Sequence, residues 1–261
     1  MSNADSPLLV GRDGAIATLR FNRPAALNAV DVPMAHAFLA AVRDIVADRG
    51  VRAVVLSGAG KGFMAGGDLS VLRADPKGGA TALLDPLHEA LQLLGEVDAP
   101  VVAQVHGVAA GAGMSLMLQA DFILAAEGTR FGSAFVKIGA SNDTGSTWAL
   151  PRRIGLQRAL EFAMLGDLVD AKEAERIGLI NRVVPADALE AEAMALAARL
   201  AAGPTRALGQ IRRLLRGSFG RDFSAQLAAE ADAFRDCAGT DDFKAGVEAF
   251  FAKQPPRFTG H

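Results

Sequence analysis

Short apolar runs that alternate with helical patterns constrain the fold of this 261-residue chain most strongly. The runs "RAVVLSG" (52–58), "PVVAQVHG" (100–107) and "DFILAAE" (121–127) are each short enough for one buried strand. A helical pattern over 81–96 separates the first two, and a small-residue helix near 111–120 separates the second from the third. Strands joined through helices pair in parallel, so the pattern predicts an α/β fold with a parallel sheet.

The two ends of the chain differ from this central pattern. The stretch "LLVGRDGAIATLRFN" predicts two strands around a tight turn at 12–14, and Asp31 is placed to cap the helix that follows. From residue 151 onward helical periodicity dominates, interrupted by the extended segment "LINRVV". Helices are predicted near 186–202, 205–215, 222–238 and 241–252. We therefore predict a core over 1–202 and a helical oligomerisation region over 203–261, because helices without their own sheet often pack on a neighbour.

Charge, cysteine content and hydropathy exclude several classes of partner. The formal charge of −2 provides no basic field for nucleic acid or anionic lipid. A single cysteine, Cys237, excludes an internal disulfide and fits a reducing compartment. The start "MSNADSPLLV" has no secretory pattern, and Pro100, Gln104, His106 and three glycines interrupt the apolar stretch 99–118. We expect a cytoplasmic protein with no membrane or nucleic-acid partner.

Familiar phosphate, metal and nucleophile motifs are missing from the sequence. "GAGKG" (58–62) lacks the Ser or Thr that follows the lysine of a phosphate loop. The helix opening at Gly111 and Gly113 lacks the third glycine of a dinucleotide fingerprint, because Leu116 stands there. The four histidines have neither metal-ligand spacing nor a serine-triad motif. No metal site is predicted.

Two glycine-rich junctions between a strand and a helix stand out, at 65–68 and 107–113. Small residues there expose backbone N–H groups at helix N-termini, where the helix dipole favours negative charge. Two such donors that meet at one oxygen would form an oxyanion hole. The sequence does not show whether they meet, and glycine-rich turns are more often simple turns.

One carboxylate, Asp143, lies in "KIGASNDTGSTWALPRRIG" (137–155), just before a predicted helix. Local chemistry favours a helix cap, because an aspartate oxygen accepts a hydrogen bond from a free N–H group at a helix start. A role in proton transfer is the alternative.

Six segments in order resemble the enoyl-CoA hydratase/isomerase (crotonase) superfamily over essentially the whole chain. They are "LRFNRPAALNAV", "FMAGGDL", "APVVAQVHGVAAGAGMSLMLQADFILAAE", "FGSAFVKIGASNDTGSTWALPRRIG", "AERIGLINRVV" and "DDFKAGVEAFFAKQPPRF". The resemblance implies a crotonase-like (ClpP/crotonase) spiral of ββα units in the core and a helical C-terminal trimerisation region. It also implies an acyl-CoA thioester substrate, a homotrimer or a dimer of trimers, and no cofactor apart from the coenzyme A of the substrate.

The resemblance also implies roles for individual residues. The oxyanion-hole donors would be the backbone N–H groups of Gly67 and Ala112. The residues implied to contact the substrate or coenzyme A are Arg23, Ala25, Leu27, Ala65, Gly66, Asp68, Leu69, Phe135, Trp148 and Lys253. Lys253 matches a basic position that approaches the coenzyme A nucleotide of a neighbouring subunit. Phe135, Trp148 and Met114 are expected to make an apolar pocket that raises the pKa of Asp143.

The carboxylate positions separate the activities of this family. Ser115 and Phe135 occupy the two glutamate positions of the hydratases, and Asp143 matches the catalytic aspartate of ring-epoxide isomerases of phenylacetate degradation and of aryl-CoA dehalogenases. The surrounding pattern is most similar to the isomerases, although Asn142 replaces their usual proline. The resemblance implies an isomerase that moves a proton or double bond beside the thioester. The alternatives are a hydratase with Asp143-activated water, a dehalogenase assisted by His88, another lyase or hydrolase, or a non-catalytic acyl-CoA binder.

Overall fold

A computed structural model describes residues 5–261. The strands are β1 (Leu8–Asp13), β2 (Ile16–Phe21), β3 (Ala53–Gly58), β4 (Val101–Val105), β5 (Val108–Ala110), β6 (Phe122–Ala126), β7 (Arg130–Gly132), β8 (Val169–Asp170) and β9 (Arg182–Val184). The helices are α1 (Val32–Ala47), α2 (Leu69–Ala74), α3 (Pro76–Glu96), α4 (Ala112–Met117), α5 (Ser146–Ile154), α6 (Leu156–Leu165), α7 (Ala171–Arg176), α8 (Leu189–Ala201), α9 (Thr205–Gly217), α10 (Phe223–Ala238) and α11 (Asp241–Phe251). Residues 1–4, part of the stretch predicted to carry no secretory signal, lie outside the described residues.

Within residues 5–261, the larger sheet has the strand order β1-β2-β3-β4-β6-β9, and its pairs are parallel except β1 with β2. The two faces of β3 bury different side chains, because successive residues of a strand point to opposite sides. Val54 and Leu56 join the main core with α1 and α3, whereas Ala53 and Val55 pack with α8. The predicted α/β arrangement with a parallel sheet is confirmed.

The predicted boundaries agree best where a cap or a turn fixes them. The hairpin of β1 and β2 forms as predicted, and the side chain of Asp31 accepts a 2.9 Å hydrogen bond from the Met34 N–H. Helix α3 begins five residues before the predicted start at 81, because Asp75 caps it through the Gly78 N–H at 3.0 Å. The first turn contains Gly78 and Gly79, and glycine is unfavourable in helices, so the sequence did not indicate it. Glycine allows close packing here, because a Cβ on Gly79 would lie 2.8 Å from the Val71 carbonyl oxygen.

A small sheet, β5-β7-β8, was not predicted. Its strands have two or three residues each, too few for any period to be recognised in the sequence. The stretch 99–118 divides into β4, β5 and α4, so the predicted interruption is confirmed, with β5 as an additional strand that was not predicted. Among residues 5–261, no helix combines the length and the apolar character needed to cross a membrane.

The C-terminal helices are attached to the core through arginines of α9. Arg212 and Arg216 both contact the carboxylate of Asp121, at 3.1 and 2.9 Å, and Arg213 contacts Asp98 at 2.7 Å. Further along, α10 and α11 leave large aromatic side chains exposed, namely Phe223, Phe234, Phe250 and Phe251. The division at residue 203 and the oligomerisation role of 203–261 stay predictions.

Candidate active site

The two glycine-rich junctions lie against each other. Gly66 adopts φ = +124°, and a Cβ at this position would lie 3.4 Å from the carbonyl oxygen of Ala110 and 3.9 Å from the nitrogen of Ala112. Gly111, at φ = +51°, would place a Cβ 3.5 Å from the Cα of Gly66. Both positions need backbone angles that glycine adopts most readily. The glycines therefore permit the close approach of the two junctions.

Each junction leaves one N–H group free. The Val30 N–H donates to the Gly66 carbonyl oxygen and the Asp68 N–H donates to the Val30 carbonyl oxygen, both at 2.8 Å, so this parallel bridge skips the intervening Gly67 N–H. Ala112 is the first residue of α4, where helical N–H groups have no intrahelical partner. Neither N–H donates a hydrogen bond within residues 5–261, and both residues line one cavity of about 940 Å³.

Asn28 supports the first junction from behind. It is fully buried with φ = +58°, and its amide nitrogen lies 2.8 Å from the carbonyl oxygens of Ala59 and Gly62 and 3.1 Å from that of Phe63. Its side-chain oxygen accepts a 2.8 Å hydrogen bond from the Arg23 N–H. Asparagine tolerates the left-handed conformation better than most residues. Sequence reasoning missed this positioning role; the available signal was a lone amide within the apolar run "ALNAV".

We expect Asn28→Ala to lower the free energy of unfolding by about 3 kcal/mol or more, because it leaves buried carbonyl oxygens without donors. Chemical denaturation followed by circular dichroism measures the change. Asn28→Gly is the matched control, since glycine accepts the positive φ and separates the loss of the side chain from backbone strain. Similar stability in all three proteins would show that the amide does not hold this loop.

Asp143 lines the same cavity as Gly67 and Ala112. Helix α5 begins three residues later at Ser146, with Gly145 as its N-cap and no side-chain cap bond. The Asp143 side chain instead accepts a 2.7 Å hydrogen bond from the Thr144 hydroxyl, and only its backbone carbonyl contacts Ser146. The cap interpretation of Asp143 is therefore wrong. Burial raises the pKa of the Asp143 carboxyl, opposed by the Thr144 hydrogen bond and by the charge of His88.

We expect Thr144→Val to move the acid limb of the kcat/KM profile to higher pH. The Thr144 hydrogen bond lowers the pKa of Asp143, so its loss raises that pKa further, and a carboxylate base is then protonated over a wider acidic range. Valine is branched at Cβ like threonine, so both residues should experience similar backbone strain at φ = +53°. Thr144→Ser retains the hydroxyl and should keep the wild-type limb. An unchanged limb in the valine variant would contradict the assignment of Asp143 as base.

The other carboxylate in the cavity lining is Asp68, and its environment is the opposite of that of Asp143. A side-chain hydrogen bond from Ser70 and another from Arg23 hold the pKa of Asp68 below its usual value. Asp68 also caps α2 and contacts Arg23 at 2.9 Å. Two carboxylates with pKa values shifted apart can take different roles. Asp68 is engaged in structural contacts, which distinguishes it from Asp143.

A family model described as enoyl-CoA hydratase/isomerase matches residues 11–261. The chain belongs to the enoyl-CoA hydratase/isomerase family. It is 39% identical over 253 residues to the 1,2-epoxyphenylacetyl-CoA isomerase of Escherichia coli, covering 94% of this chain and 95% of the relative. It is 38% identical over 245 residues to a probable enoyl-CoA hydratase of Rhodobacter capsulatus, with the same two coverages.

Solved structures of this family agree with the fold. A putative enoyl-CoA hydratase/isomerase from Mycobacterium abscessus superposes with a TM-score of 0.92 at 36% identity, covering 97% of this chain and 100% of that chain. The crotonase-like α/β fold with a C-terminal helical region, expected from the resemblance, is confirmed.

The cavity brings together eight of the residues that the family resemblance singled out. They are Ala65, Gly66, Gly67, Asp68, Leu69, Ala112, Phe135 and Asp143. The rest of its wall is mainly apolar and comes from α2 and α3 through Leu72, Leu83, Leu84 and Leu87. All four leucines lie in the stretch 72–91, which the resemblance implies shapes the acyl pocket but whose sequence does not identify the acyl group.

Five residues named from the resemblance do not line this cavity: Arg23, Ala25, Leu27, Trp148 and Lys253. Arg23 lies behind the wall, where it bridges Asp68 and Asp31 at 2.9 and 3.0 Å. Trp148 lines a different cavity and is 41% exposed, because α5 directs it away from Asp143. Met114, expected beside Trp148, is fully buried in the core. Lys253 is exposed after α11, and its contact with a neighbouring subunit stays a prediction.

Proposed function

We propose that this protein is an acyl-CoA isomerase that moves a proton or a double bond next to a coenzyme A thioester. The observation that carries the proposal is Asp143, a carboxylate without an ion pair among residues 5–261, in the lining of a cavity with two N–H groups that have no hydrogen-bond partner in the same residues. Coenzyme A would arrive as part of the substrate, and the reaction would need no other cofactor.

The proposed mechanism starts with the thioester carbonyl oxygen at the N–H groups of Gly67 and Ala112. Asp143 removes a proton from a carbon next to the conjugated system, and the C–H electron pair moves into the enolate. Each backbone donor would stabilise the negative oxygen by about 2.7–4 kcal/mol, as measured for other oxyanion holes. The protonated Asp143 then returns the proton to a different carbon, which restores the carboxylate and completes the shift.

Burial of Asp143 supports this use. A carboxyl whose pKa is raised is a stronger base when ionised and a better match for proton transfer near neutral pH. Among residues 5–261, no group of three or more His, Cys, Asp or Glu side chains is arranged to hold a metal ion. The chemistry proposed here uses main-chain donors and one carboxylate.

A hydratase is the second candidate, because several relatives carry that name. Water addition by two carboxylates would need an acid at the positions of Ser115 and Phe135. Ser115 is fully buried and its hydroxyl donates to the Gly111 carbonyl oxygen at 3.0 Å. Phe135 has no proton to exchange. These contacts argue against the two-carboxylate route, and hydration by water that Asp143 activates stays the alternative.

Product analysis separates the candidates. Purified enzyme is incubated with 2-enoyl-CoA and with 3-enoyl-CoA, in H₂¹⁸O and in D₂O. An isomerase interconverts the two esters, incorporates deuterium and gains no ¹⁸O. Net addition of labelled water would establish a hydratase, and free acid or free coenzyme A would indicate a hydrolase or another lyase. A binder without catalytic activity would leave every ester unchanged while still showing a thermal shift.

We also infer a homotrimer, or a dimer of trimers, from the exposed aromatic side chains of α10 and α11. Such side chains are normally buried against a partner when they cluster. Light scattering on the purified protein gives the mass directly, and a monomer would contradict the inference. The single cysteine fits a cytoplasmic location.

A further inference from the structure

A second cavity, of about 780 Å³, lies on the other side of the loop that carries Asp143. Asp143 lines the first cavity, whereas the next two residues, Thr144 and Gly145, line the second. The remaining wall comes from α3, α5, α9, the turn after α9 and Gln119, which follows α4. Nothing in the proposed isomerisation uses this space, and its volume is typical of small-molecule sites.

The lining of this second cavity is strongly cationic. It contains four arginines, Arg152, Arg213, Arg216 and Arg221, with His88 nearby and a single carboxylate, that of Glu96. Two of the arginines have carboxylate partners, which they share with other arginines: Arg213 pairs with Asp98 at 2.7 Å and Arg216 pairs with Asp121 at 2.9 Å. The lining therefore keeps a positive charge, to which the other two arginines contribute.

Arg152 and Arg221 have no carboxylate partner within residues 5–261. The guanidinium carbon of Arg152 lies 4.3 Å from the ring centroid of Trp148 and 5.0 Å from that of Phe219. One of its terminal nitrogens donates to the Trp148 carbonyl oxygen at 2.9 Å, but its Nε is buried without any hydrogen-bond partner. Arg221 donates only to the amide oxygen of Gln226, at 3.1 Å.

The buried Nε of Arg152, like that of Arg212, is not accessible to a ligand, so an anion in the cavity would contact the terminal nitrogens of Arg152. Arg152 is also held in place by its stacking on two rings, so it loses little freedom on binding a ligand. Guanidinium groups bind carboxylates and phosphates through paired charge-assisted hydrogen bonds. The cluster therefore has the chemistry of an anion site.

We propose that the second cavity binds a small anionic molecule through a carboxylate or phosphate group held by Arg152 and Arg221. Arg216 adds to the positive field at one edge. The site is distinct from the cavity of Asp143, although the loop at 143–145 and helix α3 contribute residues to both cavities. This proposal does not depend on the proposed isomerase activity.

The composition of the chain supplies a direct probe of this site. Trp148 is the only tryptophan, and the chain has no tyrosine. Because Trp148 lines the second cavity and carries Arg152 on its ring, intrinsic fluorescence reports on this place alone. Full-length protein is titrated with citrate and with inorganic phosphate, while sodium chloride keeps the ionic strength constant. We expect a saturable change in Trp148 emission with at least one of the two anions.

Variants decide whether the arginines hold the anion. Arg221→Gln leaves the stacking of Arg152 on Trp148 in place and should weaken binding about tenfold or more, by fluorescence and by calorimetry. Arg152→Gln should weaken it similarly in calorimetry. Arg199→Gln, which removes an exposed arginine of α8, is the matched control and should bind as wild type. Circular dichroism checks that each variant is folded. A signal that follows ionic strength alone, or equal affinity in Arg221→Gln and wild type, would overturn the proposal.

Discussion

Replacing Asp143 with asparagine is expected to lower kcat for double-bond isomerisation by about 10²–10⁴-fold. Asparagine has nearly the same shape as aspartate and can still accept the hydrogen bond from the Thr144 hydroxyl. It cannot take a proton at the pH of the assay. Because the thioester oxygen would contact backbone groups, affinity for an unreactive acyl-CoA should stay close to that of wild type.

The same substitution should raise the melting temperature at neutral pH. Burial raises the pKa of Asp143 in the folded protein above its unfolded value, so the ionised carboxylate costs stability that grows as the pH rises through this interval. Asparagine removes this cost. Calorimetry at neutral pH and at a pH below the ordinary pKa of aspartate separates the two states. If Asp143→Asn keeps near wild-type turnover, Asp143 is not the catalytic base. If the substitution destabilises the protein equally at both pH values, ionised Asp143 does not cost stability.

Ala112→Pro should lower kcat by about 10²–10³-fold, because proline deletes the N–H group assigned to the oxyanion hole. The first position of a helix is the one at which proline fits best, and Ala112 occupies that position in α4. Gly111 precedes it without a Cβ that could clash with the proline ring. The fold should therefore survive, and circular dichroism and oligomer mass check this.

Two variants of the same residue act as controls for Ala112→Pro. Ala112→Gly keeps the N–H and removes the methyl group, so it should retain most of the activity. Ala112→Val adds a volume comparable with that of proline and also keeps the N–H. If valine and proline lower kcat equally, the loss is steric and the hydrogen-bond donor has not been identified.

The sequence predicted the central sheet because three short apolar runs alternate with helical patterns. Few folds other than a parallel α/β sheet are compatible with that alternation. It also indicated the two glycine-rich junctions. It could not predict that they meet, because that contact depends on the packing of Gly66 against Ala110 across 44 residues of chain. The sequence also could not predict which way the Trp148 side chain points, since the turn at Gly145 sets the rotation of α5 about its axis.

Asp143 illustrates a different limit. Local propensity favours a cap for an aspartate just before a helix, but Gly145 takes that place in the structure. The family resemblance implied the catalytic position because it compares whole segments. Neither local propensity nor the family resemblance identified the role of Asn28. Its side chain donates hydrogen bonds to three carbonyl oxygens more than 30 residues further along the chain, which no local pattern reveals.

The two donors proposed for the oxyanion hole are backbone N–H groups, and this has an evolutionary consequence. Every residue except proline supplies an N–H group, so the part of the site proposed to stabilise charge survives almost any side-chain replacement at Gly67 or Ala112 that the backbone tolerates. The leucines of α2 and α3 that face these donors can then vary without harming the chemistry. Because the donors tolerate side-chain replacement, point substitutions among the leucines can change which acyl group fits the cavity. A single scaffold of this kind can therefore acquire new acyl preferences.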